Sequence, residues 1–171
     1  MGRPPHLEGG AVPALGSASV TTFEVFKKAE RIETIAAAIY AFLAKQFADD
    51  ADVRALFARL ETEEAQHAAR VRLLASRYRG DSKLLASVPG GPELETCLAH
   101  AEAALVEVQS GGWGRDLASI KVRLAALELE LADAHAQAIA KDGHPALRDF
   151  FRQLALQDEA HLALLRDEPG R

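Results

Sequence analysis

Apolar residues recur every three to four positions along most of the chain, which is the pattern of amphipathic helices. The first helix is predicted over residues 21–48, because Thr21 and Glu24 have the spacing of a capping box. The second follows the aspartates at positions 49, 50 and 52, carries apolar residues at helical spacing from Val53 to Leu60, and ends near Tyr78. These two helices predict a helical hairpin.

The second half of the chain predicts a similar pair of helices. Residues 79–92, rich in glycine and proline, form the longest break and indicate a crossover, which continues into a short helix over residues 93–108. A long helical pattern covers residues 115–141, and Pro145 is well placed to start a final helix that reaches about residue 167. Each long helix has one apolar stripe that needs neighbours. The sequence therefore predicts an all-α four-helix bundle built from two helical hairpins, with an extra short helix in the crossover.

The N-terminal residues differ from the rest of the chain. Residues 1–20 contain several prolines and glycines and no long apolar run, so they predict a disordered leader. A length of 171 residues suits a single domain. We therefore expect one helical domain over residues 21–167.

Composition excludes several classes of function. The net charge of -5 and the absence of a lysine or arginine block argue against nucleic-acid binding. The longest apolar run, residues 35–44, is too short to cross a membrane. A single cysteine, Cys97, cannot form a disulfide or a four-thiolate metal site within the chain, and it favours a reducing, cytoplasmic setting.

The two hairpins carry the same pattern of acids and histidines, which indicates an internal duplication. The first helix of each hairpin has a glutamate seven residues before a tyrosine or histidine, and the second helix has an acid followed three residues later by a histidine. The acid in the second helix lies 31 residues after the glutamate in the first hairpin and 30 residues after it in the second hairpin. The candidate site residues are Glu33, Glu64, His67, Glu128, Asp158 and His161.

The spacing and chemistry of these residues favour a metal centre. Residues three apart share one helix face, so the acid and the histidine of each pair can bind one ion. Four carboxylates balance the charge of two divalent ions, and the mixture of oxygen and nitrogen ligands suits iron or manganese better than calcium. Without metal, four inward-facing acids would repel one another and would be costly to bury.

Nearby basic residues offer an alternative, in which the acids belong to a surface network of ion pairs. The candidates for such pairs are Arg59, Arg70, Arg72 and Lys121. Helical phase favours the interior instead, because Glu33 lies on the same helix face as the apolar Phe26 and Ala37.

Two further residues occupy equivalent places in the repeat. Tyr40 lies seven residues after Glu33, and His135 lies seven residues after Glu128. Each is two helical turns beyond a candidate ligand, so we expect it either to hydrogen-bond a ligand carboxylate or to fill core space.

This ligand pattern resembles that of the rubrerythrin and ferritin-like di-iron carboxylate proteins. That family has one glutamate from each of two helices and a Glu-x-x-His motif from each of the other two. The resemblance covers most of the chain and implies a ferritin-like four-helix bundle with two bound iron ions, manganese or zinc being alternatives. Glu33 and Glu128 match the single glutamates, and Glu64 with His67 matches the first motif. The second motif has aspartate, Asp158, in place of glutamate.

The resemblance also implies an activity. It indicates an oxidoreductase that acts on peroxide or dioxygen, with Glu64 and Asp158 bridging the two ions and all six residues serving as both ligands and catalytic groups. The rubredoxin-type module of many relatives is missing, because it needs four cysteines. We therefore expect a separate electron-donor protein, no nucleic-acid or membrane partner, and a homodimer as the fitting assembly.

Two other functions are open at this point. One is ferritin-like iron oxidation and storage, or metal buffering, without an organic substrate, which a hollow oligomer would favour over a dimer. The other is a degenerate bundle in which the shorter Asp158 has spoiled the site and left a scaffold.

Overall fold

Five helices dominate the computed structural model, which describes residues 19–77, 79, 87–89, 92–141 and 145–166. Their bounds are α1 Thr22–Gln46, α2 Ala51–Arg77, α3 Pro92–Gln109, α4 Leu117–Lys141 and α5 Pro145–Arg166. The predicted helical fold class is confirmed by these helices, and their ends agree with the predicted ends to within about two residues. Pro145 begins α5, as expected of a proline at a first helical position.

A short pair of strands was not predicted. Ser19–Thr21 forms β1 and pairs antiparallel with Ser87–Pro89, which forms β2. The sequence placed residues 19 and 20 in a leader without regular structure, whereas the structure pairs both of them with β2. The remainder of that predicted leader, residues 1–18, lies outside the described residues.

The helix starts are fixed by side chains that cap free backbone N–H groups. The predicted capping box of α1 is present, because the Thr21 hydroxyl accepts from the Glu24 amide at 3.2 Å and the Glu24 carboxylate accepts from the Thr21 amide at 2.7 Å. Asp116 accepts from the Ser119 amide at 3.0 Å. This cap explains why α4 begins at Leu117, two residues later than the pattern suggested.

Two helical hairpins form the body of the structure. Helix α1 packs along α2, α4 packs along α5, and α3 packs against both α1 and α4. All five helices contribute to one apolar core, whose members include Ile32, Phe57, Cys97, Leu124 and Leu165. Within the described parts of the chain, no helix combines the length and apolarity that a membrane crossing requires.

Polar side chains interrupt this core at its centre. Among the residues that the structure describes, seven such side chains are buried, and they are Glu33, Glu64, His67, Glu128, His135, Asp158 and His161. Burying a charged group is costly unless it is paired or binds a metal, so a group of this size requires an explanation beyond packing.

Candidate metal centre

All six candidate ligands meet at one point between the four long helices. Each is at most 2% exposed. Helix α1 contributes one acid, α4 contributes one acid, and α2 and α5 each contribute an acid and a histidine from one face. The structure therefore brings together every residue that the repeat singled out.

The ligand atoms fall into two overlapping groups, in each of which one atom per residue lies within 4.8 Å of all the others. The first group consists of Glu33, Glu64, His67 and Asp158. The second group consists of Glu64, Glu128, Asp158 and His161. Glu64 and Asp158 belong to both groups, so the arrangement provides two adjacent positions that share two acids.

Glu64 spans both positions with its two oxygens. Its Oε2 lies 3.2 Å from Nδ1 of His67, and its Oε1 lies 2.7 Å from Nδ1 of His161. The single glutamates complete the arrangement, with Glu33 Oε2 3.5 Å from Nδ1 of His67 and Glu128 Oε2 3.6 Å from Nδ1 of His161. Two ligands bound to one ion at about 2.1 Å lie about 3.0 to 3.4 Å apart. The separation between Glu64 and His67 falls in this range, and those of the two single glutamates from the histidines are slightly longer. The 2.7 Å between Glu64 and His161 is that of a direct hydrogen bond or ion pair.

Several of the converging atoms lack a hydrogen-bond partner of good geometry. In the described part of the chain, the buried atoms without one are both oxygens of Glu33, Glu64 Oε1, Glu128 Oε2, His135 Nε2, Asp158 Oδ1 and His161 Nδ1. Buried polar atoms in folded proteins almost always have partners. Carboxylate oxygens and imidazole nitrogens that face one another without satisfied hydrogen bonds are accounted for if cations bind among them.

The electrostatics of the cluster point the same way. Burial, reinforced by the neighbouring carboxylates, raises the pKa of Glu33 well above its usual value and that of Glu128 to about 7. Although burial acts to raise it, the nearby imidazoles hold the pKa of Glu64 below its usual value. Burial acts to lower the pKa of His161, but the carboxylates of Glu128 and Glu64 outweigh it and raise this pKa to about 11. The metal-free cluster therefore holds extra protons in place of cationic charge.

The two repeat-equivalent residues hydrogen-bond carboxylates of the candidate ligands, which is the first of the two alternatives that the sequence left open. The Tyr40 hydroxyl donates to Glu128 Oε1. His135 Nδ1 lies 2.8 Å from Asp158 Oδ2, and its Nε2 lies 3.3 Å from Glu33 Oε1. Each of these residues therefore contacts the single glutamate of the other hairpin. Aromatic rings pack behind them, with Phe57 beside Tyr40.

Glu63 is a functional candidate that was not predicted from the sequence. Its Oε2 lies 2.9 Å from Nε2 of His161, and its Oε1 accepts from Arg59 at 2.8 Å. One carboxylate oxygen of Glu63 therefore pairs with Arg59, and the other contacts His161. No spacing distinguishes Glu63 from Glu61, because only the packing of α5 beside α2 decides which acid faces the histidine.

The surface-network alternative does not fit the observed contacts. Arg59 pairs with Glu63, Arg72 pairs with Glu30 at 2.7 Å, and Arg70 donates to Gln157 at 3.3 Å. None of these partners belongs to the six candidate ligands, which are buried. The lone cysteine is also uninvolved, since it is fully buried in the apolar core and burial raises the pKa of its thiol to about 12.

Comparisons of the chain with protein-family models, with curated proteins and with solved structures find no match. A functional assignment therefore rests on the chemistry and geometry of the buried cluster.

Proposed function

We propose that this chain is a di-metal carboxylate protein of the rubrerythrin-like type, which binds two iron ions and acts as an oxidoreductase on peroxide or dioxygen. The observation that carries the proposal is the pair of overlapping ligand groups that share Glu64 and Asp158. One ion would be held by the group containing Glu33 and His67, and the other by the group containing Glu128 and His161.

The ligand set supports iron over the other common divalent ions. Four carboxylates neutralise two dications, and one histidine per position adds the nitrogen donor that calcium and magnesium sites rarely use. Manganese and zinc satisfy the same donors and are the alternatives. Among iron, manganese and zinc, iron is proposed because it suits this ligand set and is also the metal best able to react with an O–O bond.

The protein's own residues would prepare the centre for that chemistry. Bound iron supplies a one-electron redox couple and Lewis acidity toward a dioxygen or peroxide ligand. Glu64 spans the two positions and holds them adjacent. Tyr40 and His135 hydrogen-bond carboxylates of the candidate ligands, and the buried Phe57 and Leu124 belong to the apolar core that keeps bulk water away.

The fold proposed for this function is a ferritin-like four-helix bundle. Helices α1 and α2 would form one half and α4 and α5 the other, with α3 lying in the crossover between them. The support is that each long helix contributes a ligand to one interior point, which is how bundle folds build metal sites.

Turnover needs a source of electrons. With a single cysteine, this chain cannot build a cysteine-ligated second redox centre by itself, so a separate electron-donor protein is proposed. The reducing, cytoplasmic setting that a lone cysteine favours suits such a donor. A homodimer is the assembly proposed for this activity.

The first test is metal binding by the full-length, metal-stripped protein. Anaerobic titration with Fe²⁺ is expected to saturate near two equivalents. Glu64→Gln should lose both ions, because Glu64 belongs to both ligand groups. Glu159→Gln, an exposed acid on the same helix as Asp158, is the matched control and should bind like the wild type. A wild-type protein that binds no metal overturns the proposal and favours the alternative hypothesis of a degenerate bundle that acts as a scaffold.

The second test separates catalysis from storage. Hydrogen peroxide is added to the iron-loaded protein together with an artificial electron donor. Multiple turnovers of donor oxidation, absent in Glu64→Gln, are expected. Oxidation of added Fe²⁺ with retention of many ferric ions per chain, and no sustained donor oxidation, would instead identify an iron-oxidising storage protein.

A further inference from the structure

Asp158 is the least usual ligand of the cluster, and its environment is specific. It occupies a position where the repeat has glutamate, so its carboxylate reaches one methylene less far from the helix. Nevertheless it belongs to both ligand groups. A short side chain that must serve two positions needs its orientation fixed.

The side chain that contacts Asp158 is His135. Its Nδ1 lies 2.8 Å from Asp158 Oδ2, in hydrogen-bond geometry, and both residues are fully buried. A carboxylate that binds a metal only accepts, so in the metal-loaded protein Nδ1 would carry the proton of this bond. Oδ2 is thereby occupied, and Oδ1 is the atom of Asp158 that lacks a partner.

The first hairpin lacks this contact, which shows what the imidazole adds. Tyr40, at the equivalent position, has a single polar group, and this hydroxyl donates its hydrogen bond to Glu128. His135 has two nitrogens. Nε2 lies 3.3 Å from Glu33 in the other hairpin, which corresponds to the contact of Tyr40 with Glu128. Nδ1 contacts Asp158 within its own hairpin. The half of the site with the shorter acid is thus the half with the residue able to hold it.

We propose that His135 is a positioning residue for the metal centre, which holds Asp158 through Oδ2 so that Oδ1 alone faces the ions. This inference rests on the proposed function. It assigns Glu64 as the carboxylate that uses one oxygen for each ion, and Asp158 as a ligand that acts through a single oxygen. It also explains how aspartate serves where a glutamate is expected.

The test measures Co²⁺ binding to metal-stripped, full-length protein by calorimetry and by visible absorption, which responds to coordination geometry. In His135→Phe, which keeps an aromatic ring but has no N–H, the dissociation constant of at least one Co²⁺ is expected to rise roughly 10- to 100-fold. The absorption of the loaded protein should also change. His135→Gln restores an N–H donor and should bind within a few-fold of the wild type.

His100→Phe is the matched control, because His100 is exposed on α3 and contacts Glu130 instead of the cluster. It should leave Co²⁺ binding unchanged. Circular dichroism of the metal-free variants establishes that each is folded. If His135→Phe does not fold, His135→Leu takes its place, since it also lacks an N–H donor and should bind Co²⁺ more weakly than His135→Gln.

The outcomes separate this inference from the function on which it rests. A wild-type protein that binds no Co²⁺ and no Fe²⁺ overturns the proposed metal centre. Two ions in the wild type, with unchanged affinity and absorption in a folded His135→Phe, leave the metal centre intact and overturn the role of His135. Equally weak binding in the Phe and Gln variants also overturns it, because a restored donor would then have no effect.

Discussion

Tyr40 on the first hairpin donates a hydrogen bond to Glu128 on the second. Both side chains are at most 1% exposed, so no water replaces the hydroxyl if it is removed. In the metal-free protein, Tyr40→Phe is expected to lower the free energy of unfolding by about 1 to 3 kcal/mol, the usual cost of leaving a buried acceptor without its donor. Urea denaturation followed by circular dichroism measures this. An unfolding midpoint equal to that of the wild type would contradict the importance of the contact.

The overlap between the two ligand groups predicts how many ions each variant binds. Glu33 belongs only to the first group and Glu128 only to the second. Glu33→Gln and Glu128→Gln should therefore each retain about one Co²⁺ per chain, whereas Glu64→Gln should retain none. Metal analysis after gel filtration gives the stoichiometry, with Glu159→Gln as control. Loss of both ions in Glu33→Gln and in Glu128→Gln would show that the positions do not bind independently.

The metal-free protein should become less stable as the pH rises. Burial raises the pKa of Glu128 from 4.5 to about 7. A carboxyl whose pKa is higher in the folded state binds its proton more tightly there, so its contribution to stability is present below about pH 4.5 and is lost as the pH rises through about 7. His161, with its pKa raised to about 11, changes stability in the same direction above its ordinary value of 6.5.

Chemical denaturation at pH 5.5 and pH 8 tests this prediction, because Glu64 is ionised in both states across that range and adds no slope. Glu128→Gln removes one titrating group and should show a smaller difference between the two pH values. In the metal-loaded protein the trend should weaken or reverse, since protons compete with metal for the same oxygens. Greater stability of the metal-free wild type at pH 8 would contradict the assignment.

The contact between Glu63 and His161 should strengthen metal binding. A carboxylate that accepts from the distal nitrogen of a histidine ligand fixes the ring and makes its other nitrogen more basic. Here that other nitrogen is Nδ1, which faces the second ligand group. Glu63→Gln is expected to weaken Co²⁺ binding roughly 10- to 100-fold. Glu61→Gln, two residues earlier on α2, is the control for calorimetry and should bind as the wild type does.

The sequence predicted those features that depend on local spacing. The capping box at Thr21 is one, because both of its hydrogen bonds join residues three apart. The pairing of Glu64 with His67 on one helix face is another. Convergence of the two hairpins was also accessible, because the repeat places chemically equivalent residues at equivalent positions and the apolar stripe fixes which face turns inward.

Features that depend on how helices pack were not accessible. The spacing of Glu63 on α2 does not reveal its contact with His161 on α5. The two contacts of His135 are a similar case, since ring orientation decides which nitrogen meets which acid. The pairing of β1 with β2 was also missed, because strands of three residues are too short to show an alternating pattern.

The distribution of the ligands along the chain has a mechanical consequence. The two positions draw on α1, α2, α4 and α5, so each bound ion would join helices from both hairpins as a non-covalent cross-link. The energy released on binding would then tighten the seam between the hairpins more than either hairpin itself. Hydrogen exchange should accordingly slow most, on loading with metal, at backbone amides in the middle turns of these four helices, where the chain is tied together.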